Sequence, residues 1–327
     1  MKKLFLSLVA AIVAATATYA QKDHVATLTH EGSVRTFYGI NSLAEAHEAA
    51  VEGDVITLSS GFYSIERISK AVTIIGAGME DNAELDVEKT TVGLANISIA
   101  DETETPLKIK NIEFNGEIRI QNDPWNNVDL HNAIFTKCTF NSTYRTFYGG
   151  ALINVTFVQC HLKVVSHHDN SDVSYVNCCI EDGSTGSDTS VSFLNCTITD
   201  FGYDPFDNCT FINCVLNKER DELGWADEDN VVDNCLGAHP GSREVWQRAK
   251  NSVLVHTNIF KEGTFYELTD EAKALITSND GTEIGMYGGQ YPYNPIPDGP
   301  RITKFNVASK SSADNKLSVD VEVSSAE

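Results

Sequence analysis

The side chains most suited to chemistry in this chain are His167, His168 and Asp169, with His161 and Lys163 a few residues upstream. Imidazoles beside a carboxylate suggest proton transfer or metal ligation. Neighbouring residues on a strand face opposite ways, so the two histidines cannot hold one ion without a turn. No HExxH and no paired CxxC accompanies them, and a surface histidine pair is a simpler account than a zinc site. Lys163 and Arg145 form a second constellation. β-Elimination from a uronate needs such a base, and a cation to neutralise the sugar carboxylate. In so acidic a chain that cation would be calcium, held by Asp169, Asp172, Glu181, Asp182 and Asp188. The plainer account of these carboxylates is a solvated acidic face.

Aromatic residues crowd the same stretches. Trp125, Tyr144, Tyr148, Tyr203 and Trp225, together with Phe147 and Phe206, stand beside carboxylates such as Asp169. Flat sugar rings stack on aromatic faces and hydrogen-bond at their edges, so these residues are candidates for carbohydrate binding. The competing account has them packing loops onto a wall. Hydrolysis of a glycoside would require two carboxylates at a set separation, and no motif singles out a pair.

The elements that must position these groups announce themselves through six cysteines. Cys138, Cys160, Cys178, Cys196, Cys214 and Cys235 lie 22, 18, 18, 18 and 21 residues apart, each in nearly the same phrase (VSYVNCCI, VSFLNCTI, CTFINCVL). Self-similarity at a period near 20 predicts a solenoid of stacked coils. Apolar residues recur five and three positions before each of the first five cysteines, and again two after it. The parity changes in between, which requires a bend. The residue at that bend is Asn177, Asn195, Asn213 and Asn234 in four coils, and asparagine tolerates left-handed backbone angles. Each coil therefore reads as two short strands meeting at a corner, and the chemistry-bearing loops close the turns. Two upstream phrases, around Asn111–Ile112 and Asn96–Ile97, offer further corners, but their 15-residue gap is too short for both registers to hold.

The ends differ from the middle. Lys2 and Lys3 precede an apolar run over 4–14 and a small-residue site at Thr18-Tyr19-Ala20, which reads as a signal peptide over 1–20. Export to the periplasm, cell surface or medium is the expectation, with no transmembrane segment beyond it. The mature chain would keep 22 basic against 46 acidic residues, a net charge of −24, which excludes nucleic acid and anionic membranes as partners. The cysteines read as an inward ladder of mostly free thiols, Cys179 alone pointing outward. A helix is predicted over about 42–52, with a capping box from Ser42 and Glu45, laid across the open end of the stack. After 21–290 comes a proline-rich connector and then a β-hairpin within 291–327.

The phrases SLAEAHEAAVEGDVITLSSGFYSI and KAVTIIGAG, with the repeated NC-x-I/L corners, resemble the right-handed parallel β-helix (pectin-lyase-like) superfamily of secreted bacterial proteins. The resemblance spans roughly residues 34–290. It implies an all-β, single-stranded right-handed parallel β-helix with an N-terminal capping helix and a short C-terminal strand pair. It says less of activity, since one fold hosts many functions. The NTD, GHG, RIK and WIDH-like phrases that catalytic members would bring are missing. The expectation is an exported protein that binds a polysaccharide or cell-surface partner without catalysis. The alternative is a divergent calcium-assisted polysaccharide lyase, or a glycoside hydrolase.

Overall fold

A computed structural model describes residues 24–81, 88–99, 104–123, 126–167, 172–185, 190–200, 208–217, 230–238, 249–298, 300–307 and 319–325. The predicted signal segment lies outside them. Nearly every element is a strand, and the strands assemble into two long sheets of 11 and 13 members that are parallel over most of their length. Each coil contributes one strand to each sheet. In the first sheet, Leu107–Lys110, Leu130–Thr136, Leu152–Val158, Val173–Val176, Val191–Leu194, Cys209–Ile212 and Val231–Asp233 follow one another. Their register places Phe135, Phe157, Tyr175, Phe193 and Phe211 in one row. These rings stack face to face at 4.8 to 5.1 Å, all buried. The second sheet repeats the arrangement with Phe140, Leu162, Ile180, Ile198 and Leu216 in register.

The bend between the two sheets is left-handed at every described coil from Asn111 onward. Asn111, Lys137, Gln159, Asn177, Asn195, Asn213, Asn234 and Asn251 all have φ between 50° and 58°. A left-handed residue turns its successor's amide out of the sheet ladder, and the cysteine ladder answers that. Each sulfur donates to a carbonyl of the preceding coil, as Cys178 does to Phe157 and Cys196 to Tyr175, at 3.4 and 3.3 Å. The same sulfurs accept backbone amides: Cys160 N–H reaches Cys178 Sγ at 3.4 Å and Cys214 N–H reaches Cys235 Sγ at 3.4 Å. Thiol is a weak donor and a weak acceptor in a small apolar volume, which suits a dry corner needing both. The last rung is Ser252, whose Oγ accepts from Cys235 N–H at 2.9 Å. None of the eight cysteines forms a disulfide, and all are buried.

Of the two competing upstream corners, Asn111 is the bend. Asn96 lies inside an unbroken strand, Thr90–Ile97, which belongs wholly to the second sheet and pairs with Glu113–Phe114 and Ile118–Asp123. The preceding corner is Gly76, beside Asn111 in the first sheet's register. A second set of bends opens the first-sheet strands at Asn132, Asn154, Asp172 and Asn208, with φ of 51° to 55°. Asn154 Nδ2 donates to Asn132 Oδ1 at 2.7 Å, which ties the first two of these bends together.

At the N-terminal end, Val25–His30 pairs antiparallel with both Ser33–Tyr38 and Val55–Leu58. The helix α1, Ser42–Ala49, packs Leu43 and Ala46 into the shared core and closes that end. The capping box is absent: Ser42 is already helical and buried, and Asn41 precedes it without a side-chain cap. The helix stops at Ala49 rather than near 52, because Ala50 is extended and Lys70 Nζ takes the carbonyls of His47, Glu48 and Ala50 at 2.6 to 3.0 Å. A cation at the carbonyl end of a helix is favourably placed. At the other end, Pro300–Val307 and Val319–Ser325 pair antiparallel with each other as a separate two-stranded sheet. Among the described residues no helix is long and apolar enough to cross a membrane.

Between these ends, residues 277–298 run back along the outside of the corner ladder. Asn234 Nδ2 donates to Thr277 O at 2.9 Å, and Asn279 N–H to Asn213 Oδ1 at 3.1 Å. Gln159 Nε2 reaches the carbonyls of Tyr291 and Pro292 at 3.1 and 2.9 Å. Lys137 Nζ reaches Ile296 O at 2.8 Å and Asp298 at 2.5 Å. The corner residues therefore bend their own coils and also hold this closing segment in place.

Candidate functional site

The outer face of the second sheet is where the closing segment and the coils leave space. The first outward residue after each inward cysteine is covered. Cys179 packs with Met79, Met286 and Tyr293, and Val215, Leu236 and Ala238 pack with Ile259, Leu268, Ala272 and Ile284. Two residues further along, at Glu181, Thr199 and Asn217, the strands reach open space, whereas Ala238 on the last of these coils stays covered. An open groove of about 680 Å³ remains, floored by Glu181, Thr199, Asp200 and Asn217 and walled by Asn258, Phe260 and Tyr266.

The floor is ordered by coil-to-coil hydrogen bonds. Thr199 Oγ1 donates to Glu181 O at 3.1 Å and Asn217 Nδ2 to Thr199 O at 3.4 Å. On the wall, Phe260 and Tyr266 meet edge to face at 5.4 Å, and Asn258 Oδ1 accepts from Phe260 N–H at 3.0 Å. Tyr266 has φ of 55°, a left-handed conformation that a bulky side chain adopts at a cost of about 1–3 kcal/mol. Strain of this kind concentrates at binding and catalytic sites, and here it belongs to a residue that lines the groove.

His161 Nε2 sits 2.8 Å from Glu181 Oε1, and its ring rests edge-on against Phe265 at 5.0 Å. That hydrogen bond holds the Glu181 carboxyl below the usual carboxylate range, opposed by partial burial and helped by the charges of His161 and Lys163. Glu181 is therefore ionised at neutral pH. It is suited to accepting hydrogen bonds from a ligand, whereas an acid catalyst needs the opposite shift.

The chain matches no family model, no curated protein and no solved structure. The site must therefore be read from its own chemistry.

Several candidate residues fall near one another without forming one centre. Lys163 is half-buried in His161–His167 and adds its charge beside Glu181. Arg145 is held elsewhere: its guanidinium lies 4.7 Å from the Tyr144 ring and 4.3 Å from the Tyr148 ring, and Nε is 3.0 Å from Glu117 Oε2. Thr146 Oγ1 donates to Val164 O, which ties this loop to the strand carrying Lys163. Tyr144 is 73% exposed and Tyr148 44%, so both remain open to a ligand. His167 ends that strand, and Asp172 is one of the left-handed bend residues. Asp182 is partly buried in Cys179–Thr185 beside Glu181. Trp125, His168, Asp169, Asp188, Tyr203 and Trp225 lie outside the described residues. Among the described residues no three His, Cys, Asp or Glu side chains converge in a metal-holding group.

Sequence reading missed the groove walls. Asn258, Phe260 and Tyr266 were visible only as members of a terminal passage, and Thr199, Asp200 and Asn217 as members of variable loops. A clue was available in Asn251-Ser252, which repeats the Asn-Cys corner with oxygen in place of sulfur. It extends the solenoid by one coil, so the passage after it must fold back over the sheet.

Proposed function

We propose that this is an exported, right-handed parallel β-helix protein of the pectin-lyase-like kind that binds carbohydrate in the groove on its second sheet, without catalysis. The observation that carries this reading is the groove itself. Aromatic faces, amides and an ionised carboxylate converge in about 680 Å³ of open space, room for a few sugar units. The repeated corners, the helix over the first coils and the signal-like first twenty residues support the fold and the exported location. The surface could instead meet a polymer presented by a cell, which is the same chemistry in another setting.

The alternative is calcium-assisted elimination with Lys163 as base. It is favoured only by the position of Lys163 beside Glu181. The partner it would need, Arg145, is engaged with Glu117 and two tyrosines. A glycan array probed with wild type, Phe260→Ala and Tyr266→Ala separates the readings. Retention of the wild type on particular glycans, lost in both variants, is expected. Undiminished retention of both variants, or new unsaturated-uronate absorbance in the presence of Ca²⁺, would overturn the proposal.

A further inference from the structure

We infer that the exposed stack of Tyr144, Arg145 and Tyr148 is a second sugar-binding platform, engaging the same polysaccharide chain as the groove. This rests on the carbohydrate-binding reading and extends it from short sugars to polymers. The Arg145 guanidinium lies 4.7 Å from the Tyr144 ring and 4.3 Å from the Tyr148 ring, close enough for both to hold it as a cation on a π face. Its Nε is 3.0 Å from one Glu117 oxygen, and the other Glu117 oxygen is 3.8 Å from Arg119 Nε. The stack thus fixes the two rings relative to each other, yet Tyr144 stays 73% exposed and Tyr148 44%. The loop beneath is anchored in the core. Ser142 and Thr146 are buried, and Ser142 Oγ accepts from Arg145 N–H at 3.3 Å. The Phe147 ring lies 5.5 to 5.8 Å from the rings of Phe135, Phe140 and Phe157. Phe147–Gly149 also pairs in parallel with Ile118–Asp123, which sets Tyr148 beside Arg119. Exposed tyrosines held this way offer a rigid, amphipathic surface whose ordering costs a ligand little.

The platform stands close to the groove. Thr146 Oγ1 donates to Val164 O, and Val164 pairs with Asp182, the neighbour of Glu181 on the groove floor. Two strand spacings, about 10 Å, therefore separate the base of the platform from the near end of the groove. A polymer seated in the groove carries its next sugar units past the tyrosines at high effective concentration, so contacts too weak to bind alone add to its affinity. The apolar face of a sugar ring stacks on a tyrosine, and its hydroxyls accept from the guanidinium or donate to Glu117.

Affinity electrophoresis of the full chain tests this, in gels containing hydroxyethylcellulose, glucomannan, arabinoxylan or polygalacturonate. At least one polymer should retard the wild type. For that polymer the double variant Tyr144→Ala/Tyr148→Ala should show a dissociation constant about tenfold higher, with its urea midpoint unchanged. Tyr144→Ala alone, at the more exposed position, should raise it about threefold, and Tyr144→Phe/Tyr148→Phe, which keeps both ring faces, should stay within about threefold of the wild type. Equal retardation of the wild type and the double alanine variant would overturn the platform and leave carbohydrate binding standing. No retardation of the wild type by any of the four polymers would overturn both.

Discussion

Asn177 donates through Nδ2 to the carbonyl of Met286 at 3.0 Å, and the same amide reaches Gly288 O at 2.6 Å. Asn177 is also the left-handed bend of its coil, at φ 53°. One side chain thus makes the corner and fastens the closing segment that covers Cys179. The two roles separate by mutation. Asn177→Gly keeps the backbone freedom and loses the bonds, whereas Asn177→Ala loses both. Urea denaturation should show Asn177→Ala destabilised by about 2–4 kcal/mol and Asn177→Gly by less. Equal loss in the two variants would show that the bend angle contributes nothing.

The cysteine ladder should be chemically silent. Burial pushes the Cys160, Cys178, Cys179, Cys196 and Cys235 thiols well above their ordinary range. At Cys214 burial is outweighed by hydrogen bonds from Cys196 and Cys235, which lower it, but its sulfur is shut away from any reagent, and an accessible thiolate is the reactive form. Titration with a chromogenic disulfide reagent should find no reactive thiol in the native protein and all eight after unfolding in guanidinium. Rapid native labelling, or fewer than eight thiols on unfolding without reductant, would contradict the packing described.

His47 makes stability fall on mild acidification. Burial, with help from the nearby Lys70 charge, lowers its pKa to about 4. Its Nε2 accepts from Ser69 N–H at 3.3 Å. The unfolded chain takes up the proton near pH 6.5 and the folded chain resists it, so stability drops as pH falls from about 6.5 towards 4. Asp54, with its burial outweighed by bonds from Val51 and His30, and Glu181 are both held low, and act only at the acid end of that window. His30 has a raised pKa, so its contribution is fully present below 6.5 and steady across the window. A loss on the order of 2 kcal/mol between pH 6.5 and 4.5 is expected by thermal or urea unfolding, and His47→Gln should flatten it.

Gly76 stands at the one corner that lacks a side chain. A Cβ there would lie 2.3 Å from the carbonyl oxygen of Asn111 on the next coil, a backbone atom that cannot step aside. Gly76→Ala should therefore cost at least about 2 kcal/mol in denaturant unfolding, whereas the same change at exposed Gly116, which has open space around it but φ of 93°, should cost about 1 kcal/mol through its backbone angle alone.

The coils were legible because each repeats one residue in one role. Cysteine fills the corner and asparagine makes it, at nearly constant spacing, so neither depends on distant context. The second bend was less visible. Asn132, Asn154, Asp172 and Asn208 also recur six residues before a cysteine position, but Asp172 looked like a metal ligand and Ser190 interrupts the run. Asn96 misled for the converse reason: it sits in the right local phrase inside a straight strand. The groove was not legible at all. Glu181 and Tyr266 come together only when residues 258–266 lie over the second sheet, and no local pattern encodes a juxtaposition of residues 85 positions apart.

Hydrogen–deuterium exchange on the wild-type protein, with and without the glycan it retains most tightly on the array, added to saturation, tests most directly whether the groove is the binding site. Slowed exchange is expected over residues 179–182, 197–200 and 258–266, with the first-sheet strands unchanged. Protection confined to residues 144–149, or no protection anywhere at saturation, would contradict it.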